Sequence, residues 1–150
     1  MPFTRPRVLC VDDDEDSRLM LTTLLKLVLI EAQAVGTAEE ALSLLQTERF
    51  DLCLLDSRLP DIDGFELCRR IRALNSDKPI LFFSGAAYEA DKKRGIEAGA
   101  NAYLVKPDLA GLIGTITQFV SEPEATTAKI IPFKPKMSVP PPFTFEPAVA

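Results

Sequence analysis

The chain has 150 residues, of which 47% are apolar and 26% charged, so one ordinary domain with a sizeable core can form. Its formal net charge of -5 argues against nucleic-acid binding through a broad basic surface. The cysteines Cys10, Cys53 and Cys68 lie far apart and form no C-x-x-C pair. We expect them to be reduced core residues of a cytoplasmic protein rather than disulfide or metal ligands.

No segment of the sequence has the pattern of a membrane anchor. The densest apolar stretch, Leu19–Ile30, contains Thr22, Thr23 and Lys26 and is shorter than the roughly 20 residues of a membrane span. The apolar run Val8–Val11 near the N-terminus is too short for a signal peptide. We therefore expect a soluble protein without membrane contact.

Short apolar runs alternate with helical patterns from Arg7 to about Val120. The predicted strands are Val8–Val11, Ala32–Val35, Leu52–Leu55, Ile80–Phe83 and Ala102–Val105. The predicted helices cover approximately residues 15–30, 38–49, 64–74, 87–98 and 108–120. This alternation is typical of parallel βαβ units, and continuous apolar strands indicate a sheet covered on both faces. The prediction is an open α/β sandwich of five strands and five helices.

Several helix ends have recognisable signals. Thr37 and Glu40 form a capping-box pattern at the start of the second helix. Asp63 is a candidate N-cap for the third, and Gly99 is a candidate stop for the fourth.

The composition changes near Ser121. Seven of the twelve prolines fall in the last thirty residues, where no periodic apolar pattern remains. We predict a domain over residues 1–121, followed by a proline-rich, extended or disordered tail over 122–150. The tail is either a linker or a docking peptide.

Polar residues follow four of the predicted strands. Asp12 and Asp13 follow the first strand, Asp56 the third, Ser84 the fourth and Lys106 the fifth. In an open parallel sheet, ligands bind beyond these carboxyl ends. The five side chains are therefore expected to converge on one edge.

Three converging carboxylates raise one another's pKa unless a cation is present. Mg²⁺ suits them, because it prefers a few carboxylates together with water and phosphate oxygens. Lys106 and Ser84 suit phosphate oxygens or, for Lys106, pairing with Asp56. The group is typical of an aspartate nucleophile that accepts a phosphoryl group. The acids Asp14, Glu15 and Asp16 are better explained as favourable charges at a helix start.

Four motifs, in order, resemble the receiver domains of two-component response regulators. They are VLCVDDDEDSR, DLCLLDSRLPDIDGFEL, PILFFSG and AYLVKP, and they cover about residues 6 to 121. The resemblance implies a flavodoxin-like fold with strand order 2-1-3-4-5, and it implies a single-domain, stand-alone regulator.

Residue roles follow from the same resemblance. Asp56 is expected to be the phosphoacceptor. Asp13, Asp56 and the backbone carbonyl of Arg58 are expected to bind Mg²⁺ directly, and Asp12 to bind it directly or through water. Ser84 and Lys106 would hold the phosphoryl oxygens, and Lys106-Pro107 would be a cis peptide. Ser84 and Tyr103 would form the switch. The side chain of Arg58 overhangs the site, and its effect on the lifetime of the phosphorylated state stays open.

The implied partners are a sensor histidine kinase or histidine phosphotransfer protein as donor, and a protein target that contacts the face of helix four, strand five and helix five. Direct nucleic-acid contact is not expected, and the protein would be a monomer or a phosphorylation-dependent dimer. The apolar first helix either offers Leu21 or Leu29 to a helical kinase partner or has a wide buried face.

Other functions remain open from the sequence. A phosphate sink, a phosphotransfer intermediate and a receiver cut from a larger regulator share the same site. An aspartate-dependent phosphatase is disfavoured, because Arg58 stands where such enzymes have a second aspartate. We expect no enzyme activity beyond the protein's own phosphorylation and dephosphorylation.

Overall fold

A computed structural model describes residues 5–74 and 77–120 of the chain. The chain divides into the units Met1–Phe119 and Val120–Ala150, and the second lies almost wholly outside the described residues. The domain boundary at residue 121 and the proline-rich tail therefore stay predictions.

All ten predicted elements are present in the described residues, in the predicted order. The strands are β1 (Arg7–Val11), β2 (Glu31–Val35), β3 (Leu52–Leu55), β4 (Ile80–Ser84) and β5 (Ala102–Val105). The helices are α1 (Glu15–Leu27), α2 (Ala38–Thr47), α3 (Gly64–Leu74), α4 (Glu89–Glu97) and α5 (Leu109–Val120).

The five strands form one parallel sheet in the order β2-β1-β3-β4-β5. This is the doubly wound order that the motifs implied, and the α/β prediction is confirmed. The order reverses beside β1, so the carboxyl ends of β1 and β3 flank the crevice where such sheets bind ligands.

Successive strand residues point to opposite faces of the sheet, and both faces are buried. On one face, Leu9, Cys53 and Phe82 pack in a cluster with residues of α2 and α3, including Phe65 and Ile71, and with alanines that follow α4. The alternate strand residues are also buried, as are positions of α1 and α5. Burial on both sides explains the continuous apolar runs in the central strands.

The predicted helix caps are confirmed, with one change of partner. Thr37 Oγ1 accepts from the Glu40 N–H at 3.1 Å, and the Glu40 carboxylate accepts from the Gly36 N–H at 3.1 Å and from the Thr37 hydroxyl at 3.3 Å, whereas a capping box uses the backbone N–H of the N-cap residue. Asp63 Oδ1 accepts from the Glu66 N–H at 2.8 Å. Gly99 follows α4 with φ +116.

Helix α1 ends three residues before the predicted position. The N–H groups of Leu29 and Ile30 donate to the carbonyls of Lys26 and Leu25, closing the helix in a Schellman-type turn. Leu29 occupies the left-handed position with φ +66, where glycine is usual. The periodic apolar pattern gave no signal for this stop, because leucine is a good helix former.

The first helix was expected to offer either Leu21 or Leu29 to a partner or to have a wide buried face, and of these two residues only Leu29 is exposed. Leu21 is only 2% exposed, so its proposed contact with a partner is wrong. Leu29 is 58% exposed and lies beyond the helix end.

The three cysteines are free and buried, as predicted. Burial raises the pKa of the Cys10 and Cys53 thiols to about 12, which makes these thiols poor nucleophiles at neutral pH. Among the described residues, no helix has the length and apolar character needed to cross a membrane.

Candidate functional site

The carboxyl ends of the strands bring the predicted site residues together. The Asp56 N–H donates to the Val11 carbonyl at 2.9 Å, and the Lys106 N–H donates to the Ser84 carbonyl at 2.9 Å. These bonds continue the β1–β3 and β4–β5 ladders one step past the strands. The register of the sheet therefore fixes the backbone of the phosphoacceptor candidate and of the lysine.

Asp12, Asp13 and Asp56 each offer a carboxylate oxygen, and these oxygens lie within 4.8 Å of one another. Asp12 is buried, Asp56 is half-buried and Asp13 is exposed. The cluster is one that can hold a metal ion, and its all-oxygen donor set suits a hard cation such as Mg²⁺.

Lys106 bridges two of the three carboxylates. Its Nζ donates to Asp12 Oδ2 at 2.8 Å and to Asp56 Oδ2 at 3.2 Å. Burial of the ammonium lowers its pKa, but the hydrogen bond to Asp12 and the charges of Asp56 and Asp12 together outweigh burial and raise the pKa of Lys106 above its ordinary value. The lysine is therefore cationic at neutral pH and partly balances the acidic cluster.

The remaining oxygen of Asp12 is also held. Its Oδ1 accepts from the Asp14 N–H at 3.0 Å, and the Asp12 carbonyl accepts from Arg18 Nη1 at 2.8 Å. Asp14 is the N-cap of α1, with its side chain accepting from the Ser17 N–H. Of the acids assigned to the helix start, Asp14 therefore precedes the helix, and Glu15 and Asp16 lie in its first turn.

The site opens to solvent through a pocket of about 860 Å³. Its walls include all five predicted residues at the strand ends, together with residues of the loop that follows β4, among them Gly85, Ala86 and Tyr88. The space is large enough for a tetrahedral phosphoryl group and part of a donor molecule.

Ser84 lies at the wall of this pocket and forms a buried pair with Ser57. The two Oγ atoms are 2.7 Å apart, and the side chains are 1% and 3% exposed, respectively. Ser84 Oγ also accepts from the Ala86 N–H at 3.1 Å. The sequence analysis did not predict a role for Ser57. Its position could have been inferred, because Ser57 follows β3 and Ser84 ends β4, and these strands are adjacent in the expected order.

The start of α3 presses against the backbone of the phosphoacceptor candidate. The Gly64 N–H donates to the Ser57 carbonyl at 2.8 Å. A Cβ at Gly64 would lie 2.0 Å from the Asp56 carbonyl oxygen, so only glycine allows this approach. The loop after β3 is thereby held close under the site.

Arg58 has an exposed side chain that lines the pocket, as predicted. Its N–H lies 3.5 Å from Asp56 Oδ1, too long for a strong hydrogen bond. The role of its backbone carbonyl as a metal ligand stays a prediction.

Tyr103 connects β5 to the loop after β4. Its hydroxyl donates to the Ala86 carbonyl at 2.7 Å, and its ring stacks on Phe82 with centroids 5.4 Å apart. Ala86 also donates to Ser84, so the two predicted switch residues share one loop residue. The Lys106-Pro107 peptide is cis, as expected.

The family model for "Response regulator receiver domain" matches residues 8–117. The chain belongs to this family. The match spans β1 to most of α5 and includes every predicted site residue.

Curated relatives have the same segment within longer chains. The chain is 36% identical over 107 residues to "Probable transcriptional regulator ycf27" of Cyanophora paradoxa, covering 71% of this chain and 44% of that protein. It is 38% identical over 104 residues to "Transcriptional regulatory protein PrrA" of Mycobacterium tuberculosis, covering 69% and 45%. The chain thus spans less than half the length of these relatives.

Solved receiver structures share the fold over nearly their whole length. A CheY-like response regulator receiver domain protein from Methanospirillum hungatei is 31% identical, with a TM-score of 0.73, over 81% of this chain and 98% of that one. The BeF3-activated DrrB receiver domain is 26% identical, with a TM-score of 0.73, over 79% and 99%.

Proposed function

We propose that the protein is a single-domain response regulator that accepts a phosphoryl group on Asp56 in a Mg²⁺-dependent reaction. The observation that carries this proposal is the set of groups around Asp56. Its carboxylate lies with those of Asp12 and Asp13 in an open pocket, and Lys106 Nζ bridges Asp12 and Asp56.

The donor is a phosphohistidine on a sensor histidine kinase or histidine phosphotransfer protein. The 150 residues of the sequence contain no histidine, so the donor imidazole lies outside them. An Asp56 carboxylate oxygen attacks phosphorus, the P–N bond breaks, and its electron pair stays on the imidazole nitrogen, which takes up a proton. A small acyl phosphate can replace this donor, with a carboxylate as the leaving group.

The carboxylates of the site would bind the metal ion, and Lys106 and Ser84 would bind the phosphoryl group. Asp12, Asp13 and Asp56, together with the Arg58 carbonyl, are the groups that would hold Mg²⁺, which supplies charge neutralisation for the transferring group. Lys106 Nζ, already beside Asp56, moves to a phosphoryl oxygen, and Ser84 Oγ donates to another. Positioning and electrostatic stabilisation account for most catalysis of phosphoryl transfer.

The added group, of about −1.5 to −2 charges, biases a switch made of Ser84 and Tyr103. Both residues hydrogen-bond to Ala86, so a movement of Ser84 towards the phosphoryl group is passed to the loop before α4. The response is a population shift at the α4–β5–α5 face, where a protein target binds or a phosphorylation-dependent dimer forms. The protein has no other enzyme activity and contacts no nucleic acid directly in this proposal.

The cytoplasm is the proposed location, supported by three buried, free cysteines. A second candidate, a receiver that works within a longer transcriptional regulator, is favoured by the lengths and names of the relatives. A phosphate sink or a phosphotransfer intermediate would use the same chemistry without the protein target.

The test compares wild type with Asp56→Asn in the presence of Mg²⁺ and acetyl phosphate. Intact mass reports the phosphoryl adduct, phosphate release reports its hydrolysis, and pull-downs with and without donor report partners. We expect an adduct on wild type only, and none when Mg²⁺ is removed by chelation.

Each outcome has a definite meaning. If wild type gains no phosphoryl group, or Asp56→Asn gains it equally, the acceptor assignment is wrong. A long-lived adduct with new protein contacts supports the switch, whereas rapid turnover with unchanged contacts identifies a sink.

A further inference from the structure

We infer that Ser57 is a positioning residue that makes the Ser84 hydroxyl a donor towards the phosphoryl group. The inference rests on the proposed function and deepens it, because Ser57 itself does not line the pocket. It acts through its hydrogen bond to Ser84.

The two hydroxyl groups form a closed pair behind the pocket wall. Their oxygens are 2.7 Å apart, and both side chains are buried. Among residues 5–74 and 77–120, Ser84 is the hydrogen-bond partner shown for Ser57 Oγ. The Ser84 oxygen has one further partner, the Ala86 N–H.

The two hydroxyl groups of Ser57 and Ser84 have more protons to donate than they have acceptors. Each hydroxyl has one proton to donate and two lone pairs to accept with. Whichever serine donates within the pair, the other serine's proton has no acceptor among these contacts. A buried donor without a partner carries a free-energy cost, so the pair is one acceptor short.

A phosphoryl oxygen in the pocket is such an acceptor, and only Ser84 reaches the pocket. When the Ser84 hydroxyl donates a hydrogen bond to that oxygen, the Ser84 oxygen accepts hydrogen bonds from the Ser57 hydroxyl and from the Ala86 N–H. The Ser84 oxygen then makes three hydrogen bonds, one as donor and two as acceptor. Ser57 donates to Ser84 and Ser84 donates to the phosphoryl oxygen, so each bond strengthens the next. The bond from Ser57 thus keeps the Ser84 proton directed at the ligand.

The backbone gives Ser57 a fixed place for this task. Its carbonyl accepts from the Gly64 N–H at the start of α3, and the preceding residue is Asp56 itself. The loop after β3 therefore carries both Asp56, which would receive the phosphoryl group, and Ser57, which would orient the Ser84 hydroxyl towards that group. A hydroxyl that accepts from Ser57 is effective as a donor because its proton already points at the ligand when Ser84 approaches the phosphoryl group.

The experiment measures phosphorylation by acetyl phosphate with Mg²⁺, and the affinity for beryllium trifluoride with Mg²⁺. We expect Ser57→Ala to lower both by about 2- to 10-fold, the range for loss of one hydrogen bond. Ser57→Thr keeps the hydroxyl and should recover most of the loss. Ser43→Ala, on an exposed part of α2, is the matched control and should equal wild type.

A double-mutant cycle separates positioning from general packing. In a Ser84→Ala background, Ser57→Ala should change neither quantity, and Mg²⁺ affinity without the anion should be unchanged throughout. The inference is overturned if Ser57→Ala equals wild type, if its effect persists without the Ser84 hydroxyl, or if Ser57→Ala binds the anion more tightly, since Ser57 would then restrain Ser84. These results leave Asp56 phosphorylation intact, whereas a wild type without any adduct refutes the proposed function as well.

Discussion

Single side chains set the charge balance of the site. Asp12 is the most deeply buried of the three carboxylates, and both its oxygens already have donors, Lys106 and the Asp14 N–H. Asp13 is exposed and free to approach an ion from the solvent side. Burial therefore distinguishes an aspartate that anchors the lysine from one that is accessible to an incoming metal, although both follow the same strand.

Leu29 is a single residue that lowers stability. It occupies φ +66 and is 58% exposed, so its side chain gains little from burial, and the left-handed conformation costs about 1–2 kcal/mol. We expect Leu29→Gly to raise the free energy of unfolding by about 1 kcal/mol, measured by urea denaturation. The control is Val28→Gly, at φ −106, which should lower stability. A lower stability for Leu29→Gly would show that its side chain has a packing role.

Among the secondary-structure elements, α4 has a glycine at the position that faces the Tyr103 ring. Gly95 is buried within this helix, where a Cβ would lie 2.7 Å from the Tyr103 ring and 3.0 Å from the Phe82 ring. Glycine costs a helix interior about 1 kcal/mol relative to alanine. Here the missing side chain provides the space in which the tyrosine ring stacks on Phe82.

We therefore expect Gly95→Ala to destabilise the protein by about 1–3 kcal/mol, because overpacking outweighs the gain in helix propensity. The matched control is Gly114→Ala in α5, where a Cβ meets no atom within 4 Å. That substitution should stabilise by about 1 kcal/mol. Urea denaturation measures both. Equal stabilisation by the two alanines would mean that the Tyr103 ring does not need the space at Gly95.

The loop between β3 and α3 is a second element whose contacts hold the site in place. Asp61 in this loop accepts from the Ala38 and Glu39 N–H groups at 3.1 and 2.9 Å, and so caps α2 from a distant part of the chain. The same loop is held at Gly64 by the Ser57 carbonyl. The segment that begins with the phosphoacceptor candidate is thus fixed to two helices.

At the scale of the whole molecule, the sequence predicted those features of the fold and the site that depend on a local pattern of residues. The apolar runs predicted all five strands, and the polar residues after them predicted the strand-end cluster. The Ser57–Ser84 pair and the Asp61 cap were missed because both join residues distant in sequence, and neither has a periodic signal. The end of α1 was missed because Leu29 adopts a conformation that leucine disfavours.

Binding at this one site is expected to affect the stability of the whole domain. A ligand that binds only the folded state stabilises it by about 2.7 kcal/mol at a concentration 100 times its dissociation constant. Mg²⁺ should therefore raise the urea midpoint of wild type, and chelation should reverse the rise. Asp13→Asn should abolish the response, because it removes the accessible carboxylate of the cluster. Asp16→Asn, in the first turn of α1, should respond as wild type does, with little loss of helix stability. Matched NaCl concentrations control for ionic strength, and a full Mg²⁺ response in Asp13→Asn would place the ion elsewhere.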